Sequence, residues 1–172
     1  MFNMASASSL FYTRKQLDEI GGTQTSSSYY VNDNEFVPLF EGKMIWFYNH
    51  HYGSFPREYE VTSRPNSIEG TDLSILQDTT SAISPWYWVN KVMVNNRLID
   101  IDKNGNVRWQ WNHSYYIAFR DVTNATNERT CVASLMPSGM AVGDNAPLVF
   151  TSRGFIPDMC YLAMISSIPF DY

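Results

Sequence analysis

Short apolar runs separated by polar turns make up much of the chain, and such runs predict β-strands. The clearest pair is residues 97–102 and 107–111, because Asn104 and Gly105 between them form a dipeptide that favours tight hairpin turns. Further strands are predicted at residues 44–48, 115–122, 130–136 and 148–152. Since several of these runs follow one another through short turns, the pattern predicts a mostly antiparallel sheet.

Two segments carry helical signals instead. Thr13 can cap a short helix over residues 14–20, in which Leu17 and Ile20 lie on one face before two glycines end it. Near the end of the chain, Pro157 suits a helix start, and the apolar residues after it suit a helix packed on a sheet. The sequence therefore predicts an α+β fold, with a mixed, mostly antiparallel sheet, a short N-terminal helix and a C-terminal helix.

The remaining segments are predicted to be connections within a single domain that spans residues 1–172. Residues 1–35 form a lead-in that contains the short helix and then a mobile loop, because residues 23–34 are rich in Ser, Thr and Asn. Residues 56–84 have no clear periodicity and are expected to form a long connection or an insertion.

Composition narrows the class of protein. The 172 residues include 12 basic and 17 acidic side chains, a formal net charge of −5, which argues against a free-standing, non-specific nucleic-acid binder. A base-reading module whose partner domain grips the phosphates stays possible. No apolar run approaches membrane-spanning length. Cys131 and Cys160 both lie in apolar company, which favours two buried free thiols over a disulfide and an intracellular, cytoplasmic location.

A charged cluster stands out in residues 117–137, where two arginines and two acids fall within ten positions of a chain poor in charge. They are Arg120, Asp121, Glu128 and Arg129. Either the groups pair with one another in a hairpin connection, or they face a ligand at the rim of the sheet. The adjacent His50 and His51 invite a metal hypothesis, but neighbours on a strand point to opposite faces and no supporting ligand spacing is present, so no metal is predicted.

Catalytic motifs are missing from the sequence. It contains no glycine-rich phosphate loop, no Cys-x-x-Cys pair, no His-Glu-x-x-His and no nucleophile elbow. The residues 100–106 have some likeness to a calcium loop, but the downstream glutamate of an EF-hand is missing. This chain alone is therefore predicted not to be an enzyme, and no catalytic residue or cofactor is assigned to it.

Four boxes, in order, resemble the target-recognition region of the large N6-adenine DNA methyltransferases of bacterial restriction–modification and phage-defence systems, including the type IIG enzymes. The first box is PLFEGKMI at residues 38–45 with YNHH at 48–51, and the second is PWYWV at 85–89. The third is FRDV at 119–122 with TNERT at 126–130 and Pro137, and the last is ISS at 165–167 with DY at 171–172. In this family an arginine stands where His51 and Trp86 stand here.

The resemblance implies a recognition module excised from a larger methyltransferase. Such a module reads double-stranded DNA and positions it so that the target adenine flips into the catalytic domain of the same parent chain. That domain, rather than this chain, would bind S-adenosylmethionine, and the resemblance leaves open whether the parent is also a restriction endonuclease. The candidate DNA-binding residues are Lys43, His50, His51, Arg120, Asn127 and Arg129. The candidates for structural support of the recognition loop are Glu41, Asp121, Glu128 and Thr130.

Two alternatives come from other classes of protein. A carbohydrate-binding β-domain would use the five tryptophans as platforms for sugar rings. They are Trp46, Trp86, Trp88, Trp109 and Trp111. An oligomerisation or scaffold domain would use Arg120 and Arg129 only to hold its own loops. The residues leave open whether these two arginines touch DNA or brace the loop that does.

Overall fold

The computed structural model describes residues 1–78, 81–124 and 126–171 and has an α+β fold. The strands are β1 (Tyr12–Thr13), β2 (Thr23–Gln24), β3 (Tyr29–Val31), β4 (Asn34–Phe40), β5 (Tyr87–Asn90), β6 (Ile99–Ile101), β7 (Val107–Gln110), β8 (Tyr115–Phe119), β9 (Ala133–Pro137), β10 (Ala141–Val142) and β11 (Leu148–Val149). The helices are α1 (Arg14–Glu19), α2 (Leu73–Gln77), α3 (Lys91–Asn96), α4 (Phe155–Ile165) and α5 (Ile168–Asp171).

The strands form three sheets. The largest has the order β1-β5-β4-β3-β2, and every pair in that path is antiparallel. Beyond Pro38, β4 exchanges its partner β5 for the parallel strand β10, which brings Leu39 and Phe40 beside Ala141 and Val142. The second sheet is β11-β8-β9, and the third is the β6-β7 hairpin. The predicted, mostly antiparallel sheet is therefore confirmed, and it is divided into three parts.

The N-terminal helix is confirmed together with its capping signals. Thr13 accepts a hydrogen bond from the backbone N–H of Gln16, and the Gln16 side chain accepts one from Thr13 in return, which is a capping box. Gly21 ends the helix with φ +80°, a conformation that favours glycine. Leu17 is fully buried whereas Ile20 is 53% exposed, so only one of the two expected apolar contacts forms.

The expected loop at residues 23–34 is instead strands β2 and β3 and the turn into β4. Tyr29 and Val31 point inward from β3, and the Tyr29 ring packs edge-on against Trp88 with its centroid 4.9 Å away. The Tyr29 hydroxyl donates to Asp18. The stretch forms strands because burial of these apolar side chains outweighs its polar composition. A prediction from composition alone could not include this burial and therefore gave a loop.

The prediction of a strand at residues 44–48 is wrong. The chain leaves β4 through a 3-10 turn, Gly42–Met44, and then enters a tight turn. A Cβ on Gly42 would lie 2.4 Å from the carbonyl oxygen of Asn145, so this bend depends on glycine. Met44 and Ile45 are nevertheless fully buried. An apolar run without alternation indicates burial, and it does not distinguish a strand from a buried turn.

The C-terminal half follows the predictions more closely. The β6-β7 hairpin and the antiparallel pair of β8 and β9 form as expected. Helix α4 packs its Leu162 and Ile165 against Ile117 and Ala133 of this sheet, although it begins before Pro157, after Gly154. Between residues 56 and 84, the described part of the chain holds a 3-10 turn and α2.

The two cysteines differ in their exposure. Cys131 is half-buried and Cys160 is exposed. Both are free thiols, as predicted, and the prediction that both are buried is wrong for Cys160.

Parts of three predicted segments lie outside the described residues. They are Thr79 and Thr80 of the long connection, Ala125 beside the third box and Tyr172 of the last box. Within the described part of the chain, no helix is long and apolar enough to cross a membrane.

Candidate functional site

The first and third boxes meet at a tight turn formed by residues 46–49. Two backbone hydrogen bonds between Trp46 and Asn49 close it. The nitrogen of Trp46 lies 2.7 Å from the oxygen of Asn49, and the nitrogen of Asn49 lies 2.9 Å from the oxygen of Trp46. The backbone N–H of Tyr48 donates to the carbonyl of Ala133 in β9 at 3.0 Å, which ties the turn to the second sheet. We call residues 46–49 the recognition turn.

Arg120 holds one side of the recognition turn. Its Nε donates to the carbonyl of Ile45 at 2.8 Å, and its guanidinium lies over the Trp46 ring, 4.7 Å from the ring centroid. Trp46 in turn stacks on Tyr52, with centroids 5.1 Å apart. Burial lowers the pKa of the Arg120 guanidinium, which remains charged. The Arg120 guanidinium therefore contacts the Ile45 carbonyl at its edge and the Trp46 ring at its face.

Arg129 holds the other side. Its guanidinium lies 4.3 Å from the centroid of the Phe47 ring, its Nη2 donates to the carbonyl of Ser166 at 2.9 Å, and its Nε donates to the Asp171 carboxylate. The structure thus brings Arg120 and Arg129, which sequence places together, onto one eight-residue segment, 45–52. Both guanidinium groups donate to protein acceptors, which include the Ile45 carbonyl within that segment for Arg120 and lie near the C-terminal end of the chain for Arg129.

The Asp171 carboxylate fixes the C-terminal end of the chain to the third box. It accepts hydrogen bonds from the backbone N–H groups of Thr130 and Cys131, at 2.8 Å and 2.5 Å, and from the Thr130 hydroxyl at 2.8 Å. These bonds, led by that from Cys131, hold the pKa of Asp171 well below its usual range, with Arg129 adding to the effect. The sequence had grouped Arg129 with Asp121 and Glu128 instead.

Asp121, Glu128 and Asn127 occupy the connection between β8 and β9. Asp121 and Glu128 are exposed, and no ion pair among the described residues includes either of them. Asn127 is half-buried and donates its backbone N–H to the carbonyl of Asn124 at 2.9 Å. Thr130, by contrast, is bound to Asp171 as described above. The pairing of the acids with the arginines, one of the two alternatives that the sequence left open, does not form among the described residues.

Glu41 and Lys43 of the first box anchor the long connection of residues 56–84. The Glu41 side chain is 2% exposed and accepts two hydrogen bonds from Arg64, while the Lys43 ammonium lies 4.0 Å away. Lys43 donates to the carbonyls of Pro65 and Asn66 at 3.3 Å and 2.9 Å. Burial lowers the pKa of Lys43, and the Glu41 carboxylate partly offsets this. These contacts fix residues 64–66 against the end of β4.

His50 and His51 follow the recognition turn and line a concave groove of about 440 Å³. Its apolar lining comes from Phe40, Ile83 and Met140, among others, and serine hydroxyls lie on its edge. A second cavity of about 570 Å³ adjoins it and shares His51. Burial lowers the pKa of both imidazoles, and for His50 the neighbouring His51 lowers it further. At neutral pH each ring is therefore uncharged, with one donor and one acceptor nitrogen.

The other candidates from the sequence are placed elsewhere. The Trp88 and Trp111 side chains are buried, 1% and 7% exposed, while Trp109 packs edge-on against Phe150. Asp102 closes its own turn by accepting from the backbone N–H groups of Asn104 and Asn106. Among the described residues, no group of three or more His, Cys, Asp or Glu side chains is arranged to hold a metal ion.

Sequence reasoning did not single out three residues that the site depends on. Arg64 lies in a segment without periodicity, and no signal marked it as the partner of Glu41. Asp171 was present in the last box, and its distance from Arg129 along the chain hid the contact. Tyr48 was also within a box, and its backbone conformation is visible only in the structure.

Comparisons with protein-family models, curated proteins and solved structures found no match.

Proposed function

We propose that this chain is the sequence-reading module of an adenine-specific DNA methyltransferase of the restriction–modification or phage-defence class, acting in the bacterial cytoplasm. In this proposal the chain binds duplex DNA and presents it to a methyltransferase domain of the same parent protein. That domain flips and methylates the adenine with S-adenosylmethionine. The observation that carries the proposal is the recognition turn, braced by two arginines and followed directly by a groove in which two imidazoles lie among apolar side chains and serines.

The chemistry of this surface matches base edges better than phosphates. The neutral imidazoles of His50 and His51 each combine a hydrogen-bond donor with an acceptor, and the Asn49 amide adds two donors while its oxygen accepts from the backbone N–H of His51 at 2.8 Å. Base edges in the major groove of DNA carry the same mixture, with acceptors on purine N7 and donors on exocyclic amines. Phosphate oxygens, in contrast, select cations and backbone N–H groups. The groove is therefore suited to reading sequence rather than to gripping the backbone.

Arg120 and Arg129 support reading by bracing the turn. A side chain that discriminates between bases has to be held in place, because displacement by about 1 Å removes a hydrogen bond. The two guanidinium groups fix the backbone at Ile45 and the ring of Phe47, on either side of Trp46. We therefore assign both arginines a positioning role, and His50 and His51 the contact with DNA.

The burial of tryptophans weakens the case for a sugar-binding surface. Trp88 and Trp111 lie in the core, which removes two of the five rings that a glycan would contact. Trp46 is already covered by Arg120 on one side and stacks on Tyr52. The recognition turn and the two histidines after it offer more to a nucleic acid, since they present one exposed tyrosine ring, a half-buried amide and two half-buried imidazoles.

Selection from a pool of duplexes tests the proposal directly. The chain would be incubated at low salt with duplex DNA that carries a randomised central segment, and the retained molecules would be sequenced after several rounds. We expect enrichment of one short motif. Retained duplexes that share no motif, or a chain that retains no DNA, would contradict the proposal.

Histidine variants localise the reading surface. The double variant His50→Ala, His51→Ala should lose or relax the enriched motif at one or two positions, because each good base contact contributes roughly 1–3 kcal/mol of discrimination. The matched control is His113→Ala, since His113 is also half-buried but packs against Trp111, away from the groove. An identical motif from the double variant and the wild type would exclude these histidines as readers.

A further inference from the structure

The ring of Tyr48 projects from the recognition turn. Tyr48 is 55% exposed, whereas the other residues of segment 45–52 are buried or half-buried. Its ring touches the edge of Phe47, with centroids 4.9 Å apart. Phe47 is itself covered by the Arg129 guanidinium at 4.3 Å. The tyrosine ring thus stands on a fixed aromatic base and extends into solvent.

The backbone at Tyr48 is in an uncommon conformation. Its φ of +55° lies in the left-handed region, which glycine and asparagine adopt readily and a bulky aromatic residue rarely does. The other non-glycine residue with positive φ among the described residues is Asn32, a type that tolerates this region. Since the side chain is mostly exposed, it gains little burial in return. Such outliers are concentrated at functional sites.

The surrounding contacts are what hold the strained residue in place. The 2.7 Å and 2.9 Å hydrogen bonds between Trp46 and Asn49 close the turn around it, and its own N–H donates to Ala133. Arg120 and Arg129 hold the flanks. The chain therefore uses several interactions to keep one tyrosine ring pointing outward, beside the groove of His50 and His51.

We propose that the Tyr48 ring is a positioning residue that stacks on an unstacked base of bound DNA and fills the gap left when a nucleotide leaves the helix. This inference rests on the proposed function and extends it to a stated ligand, an unstacked nucleobase. Aromatic rings stack on every base, so the contact contributes affinity without reading sequence. Inserted side chains of this kind also keep an opened base step from closing.

Duplexes with an abasic site provide the test, because their gap is already open. Fluorescence anisotropy would compare the chain's binding to its selected duplex, intact or with an abasic site placed in turn at each position of the motif. We expect tighter binding to the abasic duplex at one position. Tyr48→Ala should weaken binding to that duplex by about fivefold or more, whereas Tyr48→Phe keeps the ring and the affinity.

A spectroscopic signal separates stacking from a general effect on the turn. With 2-aminopurine next to the preferred abasic position, the wild type and Tyr48→Phe should quench its fluorescence, and Tyr48→Ala should not. Tyr48→Gly provides a second ring-free variant that accepts a positive φ, in case Tyr48→Ala is poorly folded. Tyr59→Ala is the matched control, since Tyr59 is 73% exposed in another segment.

Each outcome decides the matter. Loss of both the abasic preference and the quenching in the ring-free variants, with wild-type behaviour of Tyr48→Phe and Tyr59→Ala, supports the inference. A wild type that binds its motif without any abasic preference, or ring-free variants that keep the preference, overturns the inference and leaves sequence reading intact. A chain that binds no duplex overturns the proposed function and this inference together.

Discussion

Arg120 shows how a single side chain connects two boxes that are far apart in sequence. It lies at the end of β8, and its Nε reaches the carbonyl of Ile45, 75 residues earlier in the chain. The planar guanidinium can bind a carbonyl at its edge while its face covers the Trp46 ring. An ammonium group has no such face. The residue therefore contributes to stability through both hydrogen bonding and packing, as long arginine side chains commonly do.

We expect Arg120→Ala to lower the free energy of unfolding by about 2 kcal/mol, because it leaves the Ile45 carbonyl without its charged donor. Denaturation in urea, followed by far-UV circular dichroism, would measure the change. Arg153→Ala is the control, since Arg153 is exposed and should alter stability by less than about 0.5 kcal/mol. Equal stability of the two variants would show that Arg120 does not brace the turn.

The charged cluster also shows which contacts sequence can reveal at this scale. Its arginines were recognised as candidates for pairing because four charges within ten positions are conspicuous in this chain. Their actual partners, the Ile45 carbonyl and Asp171, are distant in sequence and come close only after the sheets and α4 have packed. The spacing of neighbouring residues in the sequence does not predict contacts between residues that are far apart along the chain. The two arginines were thus predictable as a pair of candidates, and their partners were not.

Among the elements, α5 is attached to the third box chiefly through one carboxylate, that of Asp171. The helix is four residues long, too short to be stable by itself, and Asp171 joins it to the backbone of Thr130 and Cys131. The same carboxylate binds Arg129, which supports Phe47 of the recognition turn. The attachment of α5 and the bracing of the recognition turn are therefore linked through Asp171.

This linkage predicts a specific dependence on pH. The pKa of Asp171 is lowered in the folded chain, so its contribution to stability is complete above the usual aspartate pKa of about 4 and is lost as the pH falls towards the folded value. We expect Asp171→Asn to be less stable than the wild type at pH 7, and the difference to shrink steadily below about pH 4. Urea denaturation at a series of pH values would measure it.

Asp121→Asn is the control for this experiment, because Asp121 is exposed and no ion pair of the described residues includes it. It should match the wild type at every pH. A stability difference for Asp171→Asn that stays constant between pH 7 and pH 3 would mean that the carboxylate's charge is not what holds α5.

The elements that sequence predicted correctly share a local signal. The capping box of α1 and the Asn104–Gly105 turn are each defined by residues within a few positions of one another. The 42–48 segment has no such signal, and its path is fixed by the close approach of Asn145 to Gly42. Strand β3 likewise depends on Trp88, which is distant in sequence. Tertiary contacts, rather than propensity, determine these two segments.

For the molecule as a whole, the net charge of −5 has to be reconciled with a proposed DNA partner. The basic residues around the site are not free to grip phosphates, because each already donates hydrogen bonds to protein acceptors. They are Lys43, Arg64, Arg120 and Arg129. Contacts between neutral groups and base edges release few counterions, in contrast to contacts between lysine or arginine and phosphate. The chain should therefore specify a sequence while another part of the parent protein supplies most of the affinity.

The salt dependence of binding measures this division. We expect the logarithm of the binding constant for the selected duplex to fall with the logarithm of salt concentration with a slope no steeper than about −3, which corresponds to roughly three phosphate contacts. A duplex that lacks the motif should bind more weakly with a similar slope, because neutral contacts account for the difference. Anisotropy titrations between low and physiological salt would give both slopes. A slope of about −6 or steeper would show that arginine and lysine of this chain grip the backbone, which would contradict the proposed division.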